Sequence, residues 1–192
     1  SNSWSFVENP YEYDTRTELV DRYVDEKGLL LIFAAGNDIN LYTICNPGLG
    51  KNVICVGAIS YTIDGDSGGI GKVTWYSSKG PTRDDYRLKP DVVAPGGDTG
   101  DGYYKYGVVA ANAWYYGRWL DLGDRRNRWP YDDYYVRGCG TSMATPHVSG
   151  VAALWYQVYK DLKSEFLCSR NFKAMLIANS IPLKGYGYVS VY

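Results

Sequence analysis

The sequence predicts an α/β fold with a mainly parallel central sheet, and three observations carry that expectation. Short apolar runs without alternation, typical of strands buried on both faces, lie between segments whose apolar residues recur at helical spacing. Strands separated by helices in this way form parallel sheets. The length, 192 residues, is that of one domain, with 45% hydrophobic and 21% charged residues in the ordinary globular range.

Residues 14–27 place Leu19, Val20, Tyr23 and Val24 on one helical face. Asp14 or Thr15 can cap the start, and Gly28 stands where a helix would end in the left-handed conformation. The run 29–34 then reads as a buried strand, followed by β-branched strand runs at 53–59, 72–76 and 92–94, the last bounded by Pro90 and Pro95. Helices are expected over 141–159 and 171–179. A polar turn cluster occupies 64–69. The stretch 97–138 exceeds an ordinary connection. Its Tyr and Trp residues (Tyr103, Tyr104, Tyr106, Trp114, Tyr115, Tyr116 and Trp119) suggest an ordered insertion covering the surface.

Composition removes several function classes. The formal net charge is −1, so bulk charge draws the chain neither to nucleic acid nor to an anionic membrane. The longest apolar run, 28–36, falls well short of the roughly 20 residues that a membrane-spanning helix needs. Four cysteines without a Cys-x-x-Cys pair, and a single histidine, make a zinc site an unfavourable reading. Disulfides and buried free thiols remain equally open for Cys45, Cys55, Cys139 and Cys168, with three possible pairings for the former.

The most informative segment is Gly140-Thr141-Ser142-Met143-Ala144-Thr145-Pro146-His147-Val148-Ser149-Gly150. It places a serine in the first turn of an apolar helix, where unpaired N–H groups and a partial positive charge favour a developing oxyanion. An isolated serine there would be read as a capping residue. The eleven-residue string instead resembles the nucleophile segment of the subtilisin-like serine proteases. The resemblance extends to Phe33-Ala34-Ala35-Gly36-Asn37, to Ser77-Ser78-Lys79-Gly80-Pro81-Thr82, to Lys89-Pro90-Asp91-Val92-Val93-Ala94-Pro95-Gly96 and to the opening Ser3-Trp4-Ser5. It covers nearly the whole chain apart from the insertion at 97–138.

That resemblance implies a three-layer sandwich, with Ser142 as nucleophile and Asn37 as the side-chain donor of the oxyanion hole. Ser3, Trp4 and Ser5 would form one wall of the substrate cleft, and Ala34, Ala35 and Gly36 the other. The Lys-Pro-Asp stretch would be architectural. In the family the order is Asp, His, Ser, with the first two upstream of the oxyanion Asn. The only histidine here, His147, lies five residues after Ser142, about 140° around the same helix. It is expected to be a structural, helix-packing residue and not the base. The chain would therefore be the C-terminal two-thirds of a catalytic domain, incomplete and inactive by itself. The catalytic Asp and His would come from an upstream segment or a separate chain, without which residues 1–192 should not fold.

Asp64-x-Asp66-x-Gly68 has the opening spacing of a calcium loop, but Trp75 stands where a closing Glu is needed. A solvated turn is the expected reading there. Structural calcium is the alternative the family brings, at these residues or at Asp98, Asp101, Asp132 and Asp133; the chemistry itself requires no cofactor.

The leading functional expectation is a secreted or cell-surface endopeptidase acting on polypeptides, with a broad taste for apolar residues. An inactive scaffold that binds other proteins through the insertion is the alternative. A non-protease α/β hydrolase ranks last, since Gly140-Thr141-Ser142-Met143-Ala144 lacks the closing glycine of a Gly-x-Ser-x-Gly elbow.

Overall fold

A computed structural model of the chain describes residues 1–5, 8–100, 103–112, 114–115, 118–119, 134–160, 168–183 and 189–190. Helix α1 (Thr15–Lys27) leads into β1 (Ile32–Ala34), β2 (Ile54–Ile59) and β3 (Val92–Pro95). The insertion contributes β4 (Asp98–Gly100), β5 (Tyr103–Tyr106), β6 (Val108–Ala111), β7 (Trp114–Tyr115), β8 (Arg118–Trp119) and β9 (Tyr135–Gly138). The chain continues with α2 (Thr141–Tyr159), α3 (Ser169–Ala178), β10 (Ile181–Pro182) and β11 (Val189–Ser190).

The central sheet has the order β1-β2-β3-β11-β10, with β1, β2, β3 and β11 parallel and β10 antiparallel at one edge. Side chains alternate across it. Ile32, Ile54, Val56, Ala58, Val92 and Ala94 pack against Ala144, Val148, Ala152 and Trp155 of α2 and Phe172 and Leu176 of α3. On the other face, Phe33 and Val53 meet Val24 of α1. Helices thus cover both faces, the α/β sandwich expected, with β2 buried along its whole length. Among the described residues no helix is long and apolar enough to cross a membrane.

Local chemistry explains the boundaries. The Asp14 carboxylate accepts the Thr17 N–H at 3.0 Å and caps α1, while Gly28 ends it at φ +64°. That carboxyl is held below its usual range. Burial opposes this, but hydrogen bonds from Thr17 and Arg16 outweigh the burial. Asp21, on α1, accepts the N–H groups of Lys51 and Asn52 and the Tyr13 hydroxyl, at 2.7 to 2.8 Å. It thereby fixes the approach to β2.

Two expectations are corrected, and one open choice is decided. The first expected strand begins at Ile32 and not at residue 29, since Leu29 is exposed beyond the sheet. Residues 72–76 form no strand: Val73 makes only an isolated antiparallel bridge to Ile59, and the segment then turns. All four cysteines are free thiols, Cys45 and Cys55 buried, Cys139 and Cys168 partly so.

In the insertion, β4 pairs with β5, β6 with β9, and β7 with β8, all antiparallel. The stretch is therefore built from antiparallel strand pairs where it is described. Tyr116, Asp101, Asp132 and Asp133 lie outside the described residues. So do the side chains of Tyr103, Tyr104, Trp114, Tyr115 and Trp119, on which the expected aromatic cover depends.

Candidate active site

The site lies beyond the C-terminal ends of β1 and β3, where ligands collect in parallel α/β sheets. After β1 the chain turns at Gly36, whose φ is +107° and whose missing Cβ leaves room for Cys45 Sγ. Ser78 holds this turn, donating its N–H to the Gly36 carbonyl at 3.0 Å and accepting the Asp38 N–H at 3.0 Å. Asn37 is presented between these two anchors.

The second half of the site is the start of α2. Gly140, its N-cap, has φ +151° and ψ 163°, a region open essentially to glycine alone. Its N–H is shared by the Gly96 carbonyl at 2.9 Å and the Tyr76 hydroxyl at 3.1 Å. Tyr76 also reaches the carbonyls of Gly96 and Gly97, at 2.9 and 2.8 Å. One buried tyrosine thus ties the end of β3 to the serine turn, and burial drives its pKa up.

Asn37 and Thr141 join the two halves. The Thr141 N–H and hydroxyl both donate to Asn37 Oδ1, at 2.9 and 3.0 Å, and Thr141 Oγ1 accepts the Gly36 N–H at 3.2 Å. An N–H requires an acceptor, so the carboxamide oxygen faces the Thr141 N–H, and Nδ2 lies beside Gly140. Asn37 caps α2 with one end of its amide and keeps the other free to donate. Ser142 follows at the next helical position, where first-turn N–H groups lack intrahelical acceptors. Its hydroxyl reaches the Ser3 carbonyl at 3.4 Å, and the Ser3 hydroxyl donates to the Ser142 carbonyl at 3.2 Å.

A cleft of about 150 Å³ opens here, lined by Ser3, Trp4, Ser5, Ala34, Gly36 and Asn37, with Cys45, Thr141 and Ser142. Five of the six residues expected to form its walls are therefore present. Ala35 is not, because its side chain points the other way, fully buried with Ile44, Leu49 and Cys55. The N-terminal wall rests on the sheet: Asn2 bridges Phe33 in parallel and Trp4 stacks edge-on against Phe33 at 5.6 Å.

Sequence reasoning missed Thr141, Tyr76 and Cys45. Thr141 was legible as a residue next to the serine, but its link to Asn37 spans 104 positions. Cys45 gave no signal. Burial, aided by the Asp38 charge, pushes its thiol up to about 11, so this part of the cleft is neutral at pH 7. His147 is not a packing residue. It is exposed, with Nδ1 2.9 Å from the Met143 carbonyl on its own helix. A carbonyl only accepts, so Nδ1 is the donor.

Asp98 is fully buried, with its carboxylate taken up by the Ser67 N–H and hydroxyl and the Thr99 N–H. Asp66 accepts the Thr99 hydroxyl at 2.6 Å. Among the described residues no cluster of three or more metal-ligating side chains occurs.

Comparison with known proteins gives the family. The subtilase family model matches residues 1–189, and the chain belongs to that family. Among curated relatives it is 36% identical to an uncharacterised protein of Aquifex aeolicus, over 78% of this chain and 60% of that one. It is 32% identical to the serine protease AprX of Bacillus subtilis, over 79% of this chain and 32% of AprX. Identity to pyrolysin of Pyrococcus furiosus is 31%, over 73% of this chain and 10% of pyrolysin. The chain thus spans between a tenth and three-fifths of these relatives' lengths. Of solved structures, sphericase matches the whole chain with TM-score 0.65 at 24% identity, covering 56% of sphericase. A protease of Pseudoalteromonas arctica matches 95% of the chain at 25% identity and TM-score 0.63, covering 44% of that structure.

Thr141→Val tests the Asn37 clamp, since valine keeps the shape and removes the hydroxyl. The full-length enzyme carrying it is expected to lose about 10-fold in kcat, the worth of one net hydrogen bond, with KM little changed. An unchanged kcat would show that Thr141 does not position Asn37.

Proposed function

We propose that this chain supplies the nucleophile and the oxyanion hole of a secreted or cell-surface serine endopeptidase, and that an upstream segment supplies His and Asp. Ser142 Oγ attacks the scissile carbonyl carbon while the upstream histidine takes its proton. The carbonyl oxygen becomes an oxyanion that accepts from Asn37 Nδ2 and the Ser142 N–H. The C–N bond then breaks, the histidine protonates the departing amine, and water hydrolyses the resulting ester. Charge develops beside the N-terminus of α2, whose dipole favours it.

The single observation that carries this reading is the Asn37 carboxamide, whose oxygen is taken up by the Thr141 N–H and hydroxyl, which leaves Nδ2 to donate in the cleft it shares with Ser142. The upstream histidine is required because the chain's only one, His147, is bonded to its own helix. A place for the upstream segment is suggested by Asn2, which extends the parallel sheet past β1 through the Asn2 N–H to the Ile32 carbonyl and the Ala34 N–H to the Asn2 carbonyl. Extended substrates would lie along the walls made by Ser3, Trp4 and Ser5 and by Ala34 and Gly36.

In the full-length protein, Asn37→Ala is expected to lower kcat for peptide hydrolysis by about 10²–10³, the range measured for oxyanion-hole donors in serine proteases. KM should move little, because the amide acts on charge that exists only in the transition state. A change of less than 3-fold would remove Asn37 from the mechanism.

A further inference from the structure

The loop that leaves Asn37 also forms a groove of its own, about 370 Å³, lined by Leu41, Tyr42, Arg83 and Tyr86. None of these residues lines the cleft around Ser142. Leu41, Tyr42 and Tyr86 are 59%, 40% and 70% exposed. Exposed apolar side chains gathered in one groove, and not scattered singly, mark a place of interaction. The backbone points the same way. Tyr42 at φ +62° and Tyr86 at φ +54° are two of the three non-glycine residues at positive φ among the described residues. That conformation is unfavourable for a bulky residue and persists only where its surroundings fix it. The Thr43 hydroxyl reaches the carbonyls of Asp38 and Asn40 at 2.8 and 2.6 Å and so holds one loop. The other is closed by the Thr82 N–H on the Arg87 carbonyl at 3.0 Å and the Arg87 N–H on Thr82 Oγ1 at 2.9 Å. Arg83 joins them, its Nε donating to the Tyr42 carbonyl at 2.9 Å. The rings of Tyr42 and Tyr86 meet edge-on, 6.4 Å apart and 87° to one another, as two perpendicular walls.

We infer that this groove is an exosite, which captures a polypeptide substrate by an apolar side chain flanked by a carboxylate, away from the bond being cut. The inference rests on the protease reading and extends it to the choice of substrate. Arg83 supplies the charge complementarity, as the only charged residue in the lining. Its Nε is taken by Tyr42 and one face of its guanidinium by the Tyr11 ring, 4.6 Å away. Among the described residues it has no ion pair, so both Nη groups remain to donate side by side to a carboxylate. The neighbouring acids are turned elsewhere. Asp38 accepts from the Tyr11 hydroxyl and the Asn40 side chain, Asp84 from the Tyr13 N–H, and Asp85 from Thr82 and Arg87. The rings and Leu41 favour an apolar side chain beside that carboxylate, which buries its surface against them. Because both walls are held before anything binds, little ordering opposes capture. A substrate so held presents its other segments to the cleft at a raised local concentration.

Full-length protein carrying Ser142→Ala, which leaves the peptides uncut, would be titrated by fluorescence anisotropy. The probes are labelled Gly/Ser peptides containing Glu-Phe-Glu, Gln-Phe-Gln or Glu-Ser-Glu. The first is expected to bind about 10-fold tighter than either of the others. Arg83→Gln should erase the preference for Glu over Gln. Tyr86→Asn removes the ring while keeping a residue that tolerates the left-handed conformation, and should erase the preference for Phe over Ser. Either variant decides the matter should the other fail to fold. In the active full-length enzyme, a reporter peptide joined to Glu-Phe-Glu by a Gly/Ser linker should show a KM about 10-fold below that of the Gln-Phe-Gln fusion, with equal kcat. Both variants should remove that difference and hydrolyse the untagged reporter as the wild type does. Equal affinities for the three peptides, a preference that survives the variants, or binding without the KM difference overturns this inference alone. Wild-type enzyme that neither cleaves nor labels at Ser142 with a fluorophosphonate overturns the protease reading, and the exosite with it.

Discussion

Ser142→Ala is expected to lower peptide hydrolysis by the full-length protein about 10⁶-fold, the loss measured for the nucleophilic serine of subtilisin in the same family. The physical reason is that the substitution removes the oxygen proposed to form the ester. Asn37 and the cleft it lines are left in place. Residual turnover would be direct attack by water on a bound, polarised carbonyl. The fold should not respond. Ser142 is half-exposed, its hydroxyl makes only the 3.4 Å contact to the Ser3 carbonyl, and alanine is a good helix former. An unchanged melting temperature with activity lost is therefore the expected pair of results. Retained activity would move the chemistry to another residue.

Asp91→Ala is expected to destabilise the same protein by about 3–5 kcal/mol without touching the site. Asp91 Oδ2 meets Lys89 Nζ at 2.6 Å and Oδ1 meets Lys173 Nζ at 2.9 Å, with side-chain exposures of 9%, 2% and 20% for the three residues. Oδ2 also accepts the Cys55 N–H at 2.8 Å. Lys173 further donates to the carbonyls of Lys51 and Val53, so this carboxylate fastens α3 to β2 and β3. Burial already holds the Lys173 ammonium below its usual range. Truncating Asp91 leaves two cations and one backbone N–H without their shared acceptor, the situation that makes a broken buried ion pair so costly. Chemical denaturation would report the loss, and the melting temperature should fall on the order of 10 °C. A loss under 1 kcal/mol would mean that water replaces the carboxylate.

What the sequence made legible was what is local. The cap at Asp14, the glycine at 28 and the apolar spacing between them defined α1, and both ends of α2 fell where the pattern put them. The β-branched runs expected at 53–59 and 92–94 became Ile54–Ile59 and Val92–Pro95, two of the three inner strands. The errors came where the partner was distant. Residues 72–76 have strand composition, but Val73 finds only one bridging residue. Ala35 has the right position for the cleft and the wrong parity. His147, about 140° around the helix from Ser142, was expected to pack, yet it is exposed and bonded to its own helix. The Asn37–Thr141 clamp joins loops that are remote in sequence, so residue type indicated the chemistry and folding alone gave its orientation.

The central claim, that Ser142 is the activated nucleophile of a site completed by an upstream histidine, is tested most directly by fluorophosphonate labelling. The full-length protein would be treated with the probe, and the modified residue located by peptide mass spectrometry. Modification of Ser142, abolished in Ser142→Ala, is the predicted result. Modification at another residue, or none in protein that contains the upstream histidine, would contradict the account.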